Sequence, residues 1–462
     1  MDNPPATSAK KGIVLVVTTA GGFLTPWMVS SLNIALPTMG REFSMSAVAL
    51  GWLSTVYILA SAALLVPFAK IGDIIGRRRI YVWGALLYCA SSLLCAVAPN
   101  EAWLLAFRAV QGSGAALMFG TGVAIVSTVF PPGERGRALG INVAATYLGL
   151  SVGPVLGGIM TERLGWRSVF VVAAALAAVV AVLMALFVKA EWKVPGARGR
   201  FDWVGSVVYI ISLVGLTWGL SELPSPLGAL LLAGGVVAFL LFIWWESKNA
   251  NPLLDLWLFR NNRVFALSNL AALINYSATF AVGFLLSLYL QYIRGYSAQT
   301  AGLILIAQPV LMALFSPWAG RLSDRVEPRL VASTGMALAV VGLALLIFLG
   351  PDTSIVYLLL VLALLGLGFA LFSSPNTNTI MSSVQPQHYG LASATLATMR
   401  TTGQMVSMAL AMLVFAVVIG RVEITPEHYS AFQHAVRVAF GIATGMCVAG
   451  TFASLARGNL RS

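Results

Sequence analysis

Two arginines, Arg108 and Arg400, lie inside long apolar segments of this 462-residue sequence. If both segments are membrane-spanning helices with a rise of 1.5 Å per residue, each arginine lies well inside its helix. Arg108 is about 9 Å from the start of its segment, and Arg400 is about 16 Å from the start of its own. A charge in hydrocarbon costs roughly 2.5–3.5 kcal/mol, so an arginine at this depth is by default a candidate functional residue. The alternatives are that Arg108 snorkels to the surface, or that the helix of Arg400 projects beyond the membrane.

Carboxylates are missing from the same depths, since all 16 acidic residues fall in predicted loops or at segment ends. A buried carboxylate is the simplest proton carrier and the simplest receptor for a cation. The three histidines lie in or near loops, and the three cysteines have no metal-binding or redox spacing. We therefore expect neither an enzyme nor a bound metal or cofactor. The histidines are His388, His428 and His434.

Neutral polar side chains in the apolar segments are further candidates for substrate contact. Gln111 follows Arg108 by one helical turn, so the two can share a polar face. Hydrogen bonds between helices are the alternative role for each of these residues. The remaining candidates are Trp27, Asn33, Asn142, Tyr147, Asn275, Tyr276, Gln308, Asn376 and Gln404.

The composition identifies the elements that must position these residues. Hydrophobic residues make up 59% of the chain, charged residues only 10%, and the mean hydropathy is +0.88. Soluble domains carry about 25% charged residues, and β-barrels lack long continuous apolar segments. We predict an all-α polytopic membrane protein with fourteen spans, at about 12–36, 47–69, 79–98, 102–130, 137–161, 167–188, 203–221, 227–245, 263–293, 299–319, 329–349, 354–380, 389–420 and 434–456.

The positive charges predict the orientation. Of the 28 Lys and Arg residues, 20 lie on the side that holds both termini, including Arg198, Arg200 and Arg461, and six lie on the other side. The positive-inside rule then predicts that both termini lie in the cytoplasm. The expected location of the protein is the inner (plasma) membrane. The net charge of +12 is thus explained by topology, and no nucleic-acid partner is expected. The lipid bilayer is the expected surrounding, and a monomer the expected state.

The spans divide into six, two and six. Basic connections at 189–202 and 246–262 flank the two middle spans, and the second connection is expected to hold a short interfacial helix at Leu253–Phe259. The predicted units are 1–188, 189–262 and 263–462. A shift of 254 residues lays Gly112, Gly114, Gly136 and Gly149 on Gly366, Gly368, Gly390 and Gly403, and a shift of 251 lays Asp73 on Asp324. A duplicated bundle is typical of secondary transporters, whose site lies between the repeats.

Two charged loops and one glycine ladder are candidate gating elements. The loop Ala69–Arg79 places an acid beside arginines at a helix end, and Gly320–Arg329 occupies the matching place in the second bundle; a solvated positive loop is the alternative. Glycines four residues apart share one helical face and admit a close neighbour, while an internal proline bends the helix. The candidate gating residues are Asp73, Gly76, Arg77, Arg78, Asp324, Arg325, Gly149, Gly153, Pro154 and Gly157.

These patterns resemble the major facilitator superfamily. A-K-I-G-D-I-I-G-R-R-R at 69–79 is similar to its loop signature, although Ala69 and Ile74 depart from the pattern. R-A-V-Q-G-S-G at 108–114 and G-L-S-V-G-P-V-L-G-G at 149–158 resemble its fourth-helix and fifth-helix motifs. The fourteen spans and the segments 201–205, 288–297 and 382–393 resemble the drug:proton antiporter branch. The resemblance implies export of small amphipathic molecules or drugs by alternating access, and a role for Arg108 in binding or proton relay.

One departure leaves the coupling open. The fourteen-helix branch carries an acid ahead of an N-x-A-L-P segment in the first helix, and here N-I-A-L-P at 33–37 is preceded by Met28 at the matching position. Proton coupling and cationic substrates are therefore in doubt. The alternative is an organic-anion or neutral-solute carrier that uses the intramembrane arginines. A membrane receptor without transport activity is the remaining alternative.

Overall fold

The computed structural model describes residues 8–193, 201–249, 252–254, 256–385 and 389–458. Arg198, Arg200, His388 and Arg461, which the sequence analysis placed in loops, lie outside these ranges. Within them the chain is helical, apart from connecting segments and one isolated β-bridge. The predicted all-α fold is confirmed.

Fourteen candidate membrane spans are present in the described part of the chain, as predicted. The ninth span combines α10, α11 and a π-helical turn at Tyr289–Ile293, and the tenth combines α12 and α13. The helices are α1 (Ser8–Phe43), α2 (Ala47–Ile75), α3 (Arg77–Ala96), α4 (Glu101–Val129), α5 (Pro132–Leu164), α6 (Arg167–Phe187), α7 (Trp203–Glu222), α8 (Pro226–Lys248), α9 (Leu256–Asn261), α10 (Arg263–Thr279), α11 (Ala281–Leu288), α12 (Ala298–Leu305), α13 (Ala307–Arg325), α14 (Pro328–Leu346), α15 (Ile355–Ser382), α16 (Tyr389–Val418) and α17 (Tyr429–Ala456).

The short helix expected at Leu253–Phe259 is displaced along the chain. It begins at Leu256 and ends at Asn261. The amide N–H of Leu254 donates to the Glu246 carboxylate at 2.9 Å, so the segment before the helix is bonded to the end of α8.

The two six-helix bundles repeat the same close helix contacts. In the first, a Cβ added at Gly114 would lie 3.0 Å from the carbonyl oxygen of Gly84. In the second, a Cβ added at Gly368 would lie 2.8 Å from the carbonyl oxygen of Gly335. These positions are related by the shifts of 254 and 251 residues that relate the two halves of the sequence. Backbones that approach this closely require a residue without a side chain.

Of the two additional helices, α7 lies between α2 and α16 and so contacts both bundles, while α8 packs on α7. Trp218 of α7 packs edge-on against Trp52 of α2, with ring centroids 6.4 Å apart. Glu222 at the end of α7 forms an ion pair of 2.6 Å with Arg421, which follows α16. The hairpin is therefore joined to both bundles through α7.

Candidate functional site

A cavity of about 110 Å³ lies between the two bundles, near the middle of the helices that line it. Helices α1, α2, α4 and α5 of the first bundle and α10, α15 and α16 of the second contribute side chains. Four residues predicted from the sequence line it: Tyr147, Tyr276, Arg400 and Gln404.

Arg400 is the charged residue of this cavity. Its guanidinium carbon lies 5.2 Å from the centroid of the Phe119 ring on α4, so a cation–π contact spans the two bundles. The structure records no hydrogen bond or ion pair between this guanidinium and the other described residues. The five N–H donors of this guanidinium therefore have no partner among the described residues.

Aromatic side chains form much of the cavity wall. Tyr147 on α5 and Ser373 on α15 join their hydroxyl groups at 2.8 Å across the interface between bundles. The sequence analysis missed the other aromatic lining residues, because an aromatic side chain in a membrane helix gives no sign of whether it meets lipid, protein or a cavity. Those residues are Tyr57, Phe119, Phe280 and Phe369.

Arg108 lies outside the cavity lining and is fully buried within the first bundle. Its Nε donates to the carbonyl oxygen of Leu53 at 3.1 Å, and its Nη1 donates to Gln111. Gln111 in turn donates to Ser92 at 2.7 Å. The guanidinium also stacks at 4.3 Å from the ring centroid of Tyr57, whose other side faces the cavity. This network holds α2, α3 and α4 together.

Five of the remaining candidates lie outside the cavity lining. Asn33 accepts from Ser54 at 3.1 Å and so links α1 to α2. Trp27 and Asn275 are buried, and their polar side-chain atoms have no hydrogen-bond partner among the described residues. Asn142 donates along its own helix to Ala138 at 3.3 Å, and Gln308 is half-buried at the start of α13.

Asn376 belongs to a polar cluster that the sequence did not indicate. Its amide accepts from Arg457 at 2.8 Å and donates to the carbonyl oxygen of Ser268 at 3.1 Å. Arg457 also donates to the carbonyl oxygen of Pro328 at 2.9 Å, and burial lowers its pKa to about 10. From the sequence, an arginine that follows the last span is expected to be a loop residue. Arg457 instead joins the end of α17 to α10, α14 and α15.

We call the side of the molecule where Ser8 and Gly458 lie the terminal face, and the other side the opposite face. The cavity is closed toward the opposite face. Contacts between the bundles are concentrated in the opposite half, where α1 meets the ninth span and α5 meets α12. These contacts are Ser287 to the carbonyl of Asn33 at 2.6 Å, Gln291 to that of Ile34 at 3.0 Å, Gln299 N to Glu162 at 3.0 Å and Ala47 N to the carbonyl of Val422 at 3.0 Å.

Toward the terminal face the same helices separate. A Cβ added at Gly136 or Gly140 of α5 would meet nothing within 4 Å, and Gly390 at the start of α16 has equally open surroundings. In the opposite half, an added Cβ at Gly158 would lie 2.6 Å from the carbonyl oxygen of Ala298 on α12. The two bundles therefore form a V that opens toward the terminal face.

Comparison with known proteins identifies this architecture. The family model of the Major Facilitator Superfamily matches residues 18–245 and 268–459, which include both bundles. The chain belongs to the Major Facilitator Superfamily. It is therefore a multi-pass membrane transporter and not an enzyme.

Relatives within the superfamily include drug-efflux proteins. The riboflavin transporter RibZ of Clostridioides difficile (strain 630) is 30% identical over 96% of this chain and 96% of its own length. The multidrug resistance protein Stp of Mycobacterium tuberculosis (strain CDC 1551 / Oshkosh) is 32% identical over 86% of this chain and 74% of its own. A crystal structure of a bacterial homologue of the human lysosomal transporter Spinster shares the fold, with a TM-score of 0.70, 17% identity and 98% coverage of both chains.

The superfamily loop signature at 69–79 forms bonds within the first bundle. Asp73 and Arg77 pair at 2.7 Å, and Arg77 also donates to the carbonyl oxygen of Ala124 on α4 at 3.0 Å. Gly76 has φ of 134°, and the N–H of Arg78 donates to Glu191 at 2.9 Å, so the turn is held against the connection that follows α6. In the second copy, the carboxylate of Asp324 accepts from Asn378 of α15 at 3.2 Å, and Arg325 is exposed.

The glycine ladder of α5 packs closely on α1. An added Cβ would lie 2.5 Å from the carbonyl oxygen of Phe23 at Gly149, and 2.6 Å from Ser31 at Gly157. Gly153 packs directly on Ser30. On another side of the helix, the carbonyl of Pro154 contacts Gly302 of α12. Thus α5 joins its own bundle and the partner bundle in the closed half of the molecule.

Proposed function

We propose that this transporter exports small amphipathic molecules from the cytoplasm by alternating access at the cavity that contains Arg400. The observation that carries the proposal is a partly aromatic cavity between the bundles that is closed on the opposite face and open toward the terminal face. Sites at the interface between repeated bundles are typical of secondary transporters.

The orientation rests on the distribution of positive charge. The clusters Lys70–Arg79, Arg135–Arg137 and Arg321–Arg329 all lie on the terminal face, and short loops rich in Lys and Arg face the cytoplasm. In this orientation the cavity is open to the cytoplasm, where an exporter takes up its cargo. The printed name of the relative Stp, a multidrug resistance protein, supports the outward direction.

The transport step follows from the contacts on each face. Export requires the opposite half to open, so the pairing of Ala47 with Val422 and the bond of Gln291 to α1 must break. The terminal halves of α5 and α16 then approach each other, and the open surroundings of Gly140 and Gly390 close. Each bundle moves as a unit, because its internal contacts involve backbone atoms that cannot yield separately.

Export is tested by expressing the chain in a bacterial host that is hypersensitive to drugs and screening a panel of amphipathic compounds for protection. We expect at least a fourfold rise in the inhibitory concentration of one or more compounds, and accumulation of those compounds in everted membrane vesicles. Gly153→Val is the inactive control, since a side chain there separates α5 from α1. If no compound is protected or accumulated while the protein is present in the membrane, export is refuted.

The open face is tested by labelling with a membrane-impermeant maleimide, in a background where Cys89, Cys95 and Cys447 are replaced by serine. Gly140→Cys should react when the reagent is supplied from the cytoplasmic side. The matched variant Ser31→Cys should stay unlabelled, because Ser31 is fully buried between α1 and α5. Reaction of Gly140→Cys from the outside alone would reverse the proposed orientation.

A further inference from the structure

The side chains that line the cavity include a positively charged arginine and no described acidic residue. Arg400 is surrounded by neutral side chains, and among the described residues that line the cavity there is no Asp or Glu. The five ion pairs recorded in the described part of the chain involve neither Arg400 nor Arg108. In a cavity with low-dielectric walls, an unpaired guanidinium attracts anions and repels cations.

The geometry leaves the guanidinium available to a ligand. Its recorded contact is with the ring of Phe119, and its N–H donors have no hydrogen-bond partner among the described residues. Those donors match a carboxylate or a similar group, to which arginine can bind through two parallel hydrogen bonds. Arg108 adds positive potential from behind Tyr57, which lines the cavity between this buried cation and the substrate space.

The rest of the cavity suits a planar ring. Tyr147, Tyr276, Phe280 and Phe369 line it together with Phe119. Aromatic side chains favour offset or edge-on contact with another ring. Neutral donors and acceptors are supplied by Thr401 and Gln404, one turn or less beyond Arg400 on α16.

We propose that the cargo is an aromatic molecule that bears an anionic group, with Arg400 as its anion-binding residue. This inference rests on the proposed function, because it names the substrate class of the same cavity. It also explains how export proceeds without a carboxylate in the cavity. An inside-negative membrane potential drives a single anion outward, toward a concentration ratio of about 50-fold for each 100 mV, so no proton carrier is required.

The test is binding of three naphthalene derivatives to the purified full-length protein in detergent, measured by calorimetry. Naphthalene-2-carboxylate, naphthalene-2-carboxamide and 2-naphthylmethylammonium share one ring and differ in charge. We expect the carboxylate to bind at least tenfold more tightly than the amide and the ammonium. Equal binding of all three, tighter binding of the ammonium, or binding of none overturns the proposal.

The role of Arg400 is tested with variants in the same assay. Arg400→Gln should weaken carboxylate binding about tenfold or more and leave amide binding within twofold, while Arg400→Lys should restore part of the loss. Lys248→Gln is the matched control, since it removes a positive charge from an exposed position of α8. Each variant is first checked for a single size-exclusion peak. Unchanged carboxylate binding in folded Arg400→Gln contradicts the assignment.

Transport in proteoliposomes separates this inference from the proposed function. Selective binding of the carboxylate without vesicle transport would refute export and leave the substrate class standing. Transport of the ammonium or the amide at the same rate in wild type and Arg400→Gln would leave export standing and refute the substrate class.

Discussion

Arg108 and Arg400 are both guanidinium groups at membrane depth without a carboxylate partner, and their surroundings separate their roles. Arg108 is fully buried, donates to Leu53 and Gln111, and stacks on Tyr57. Arg400 lies in a cavity against the ring of Phe119 and makes no hydrogen bond or ion pair with the described residues. An intramembrane charge thus marks either a polar joint between helices or a binding group, and its hydrogen bonds decide between the two.

The internal repeat shows that neither arginine belongs to the packing that the two bundles share. The shift of 254 residues places Leu362 and Leu365 at the positions of Arg108 and Gln111, and Thr146 at the position of Arg400. Thr146 also lines the cavity. The bundles therefore share glycine contacts and differ in charge: the first has a buried polar joint, and the second has a cation in the shared cavity.

The largest effect on stability is expected for Arg108→Ala. The substitution removes a large buried side chain and leaves the Leu53 carbonyl and Gln111 without their donor, which should lower the free energy of unfolding by about 3 kcal/mol. Thermal unfolding in detergent measures the change. If the Arg108→Ala variant unfolds at the same temperature as wild type but no longer binds naphthalene-2-carboxylate, Arg108 belongs to the binding site instead.

Gly114→Ala and Gly368→Ala should destabilise the protein to a similar extent, about 1–3 kcal/mol each, since overpacking forces apart the same helix pair in each bundle. The controls are Gly136→Ala and Gly390→Ala, which are also related by the repeat but have open surroundings. There alanine should be neutral or stabilise by about 0.5–1 kcal/mol, because it favours the helix over glycine. Unequal effects of the first pair would show that the bundles are packed differently.

Exchange of the cavity residues tests whether the position of the cation matters. Arg400→Thr alone should lose about tenfold or more in carboxylate affinity. The double variant Thr146→Arg with Arg400→Thr returns a guanidinium to the repeat-related wall and should recover affinity to within about fivefold of wild type. If the double variant does not recover affinity, a specific contact of Arg400, and not the charge of the cavity, determines binding.

The smallest effect on stability is expected for Arg400→Gln. Because Arg400 makes no hydrogen bond or ion pair with described residues, its replacement should change the free energy of unfolding by less than about 0.5 kcal/mol. Thermal unfolding without ligand provides the measurement. A loss comparable to that of Arg108→Ala would mean that both arginines are structural.

The sequence predicted the fold more completely than the site. Continuous apolar segments specified fourteen spans, and glycine spacing revealed the repeat, because both depend on local composition. The helix at Leu256 was predicted three residues too early, since the bond that joins Leu254 to Glu246 is a tertiary contact. Phe119 and Phe369 could not be assigned to the cavity, since their direction is set by tertiary packing.

Single residues show the same limit. Arg457 resembled an ordinary positive residue after the last span, and only the meeting of α10, α14 and α15 makes it a buried joint. Arg108 and Arg400 were equally good candidates by sequence, because depth in a span is readable and direction around the helix is not. Tyr147, Tyr276, Arg400 and Gln404 meet in one cavity through the approach of α5, α10 and α16.

The division of roles is tested most directly by one measurement, the shift in thermal unfolding midpoint that naphthalene-2-carboxylate produces in wild type, Arg108→Ala and Arg400→Gln. Ligand at about 100 times its Kd stabilises a binding-competent protein by ~2.7 kcal/mol. We predict a lowered midpoint with a retained ligand shift for Arg108→Ala, and an unchanged midpoint with no ligand shift for Arg400→Gln. A lost shift in the first variant together with a full shift in the second would contradict the account.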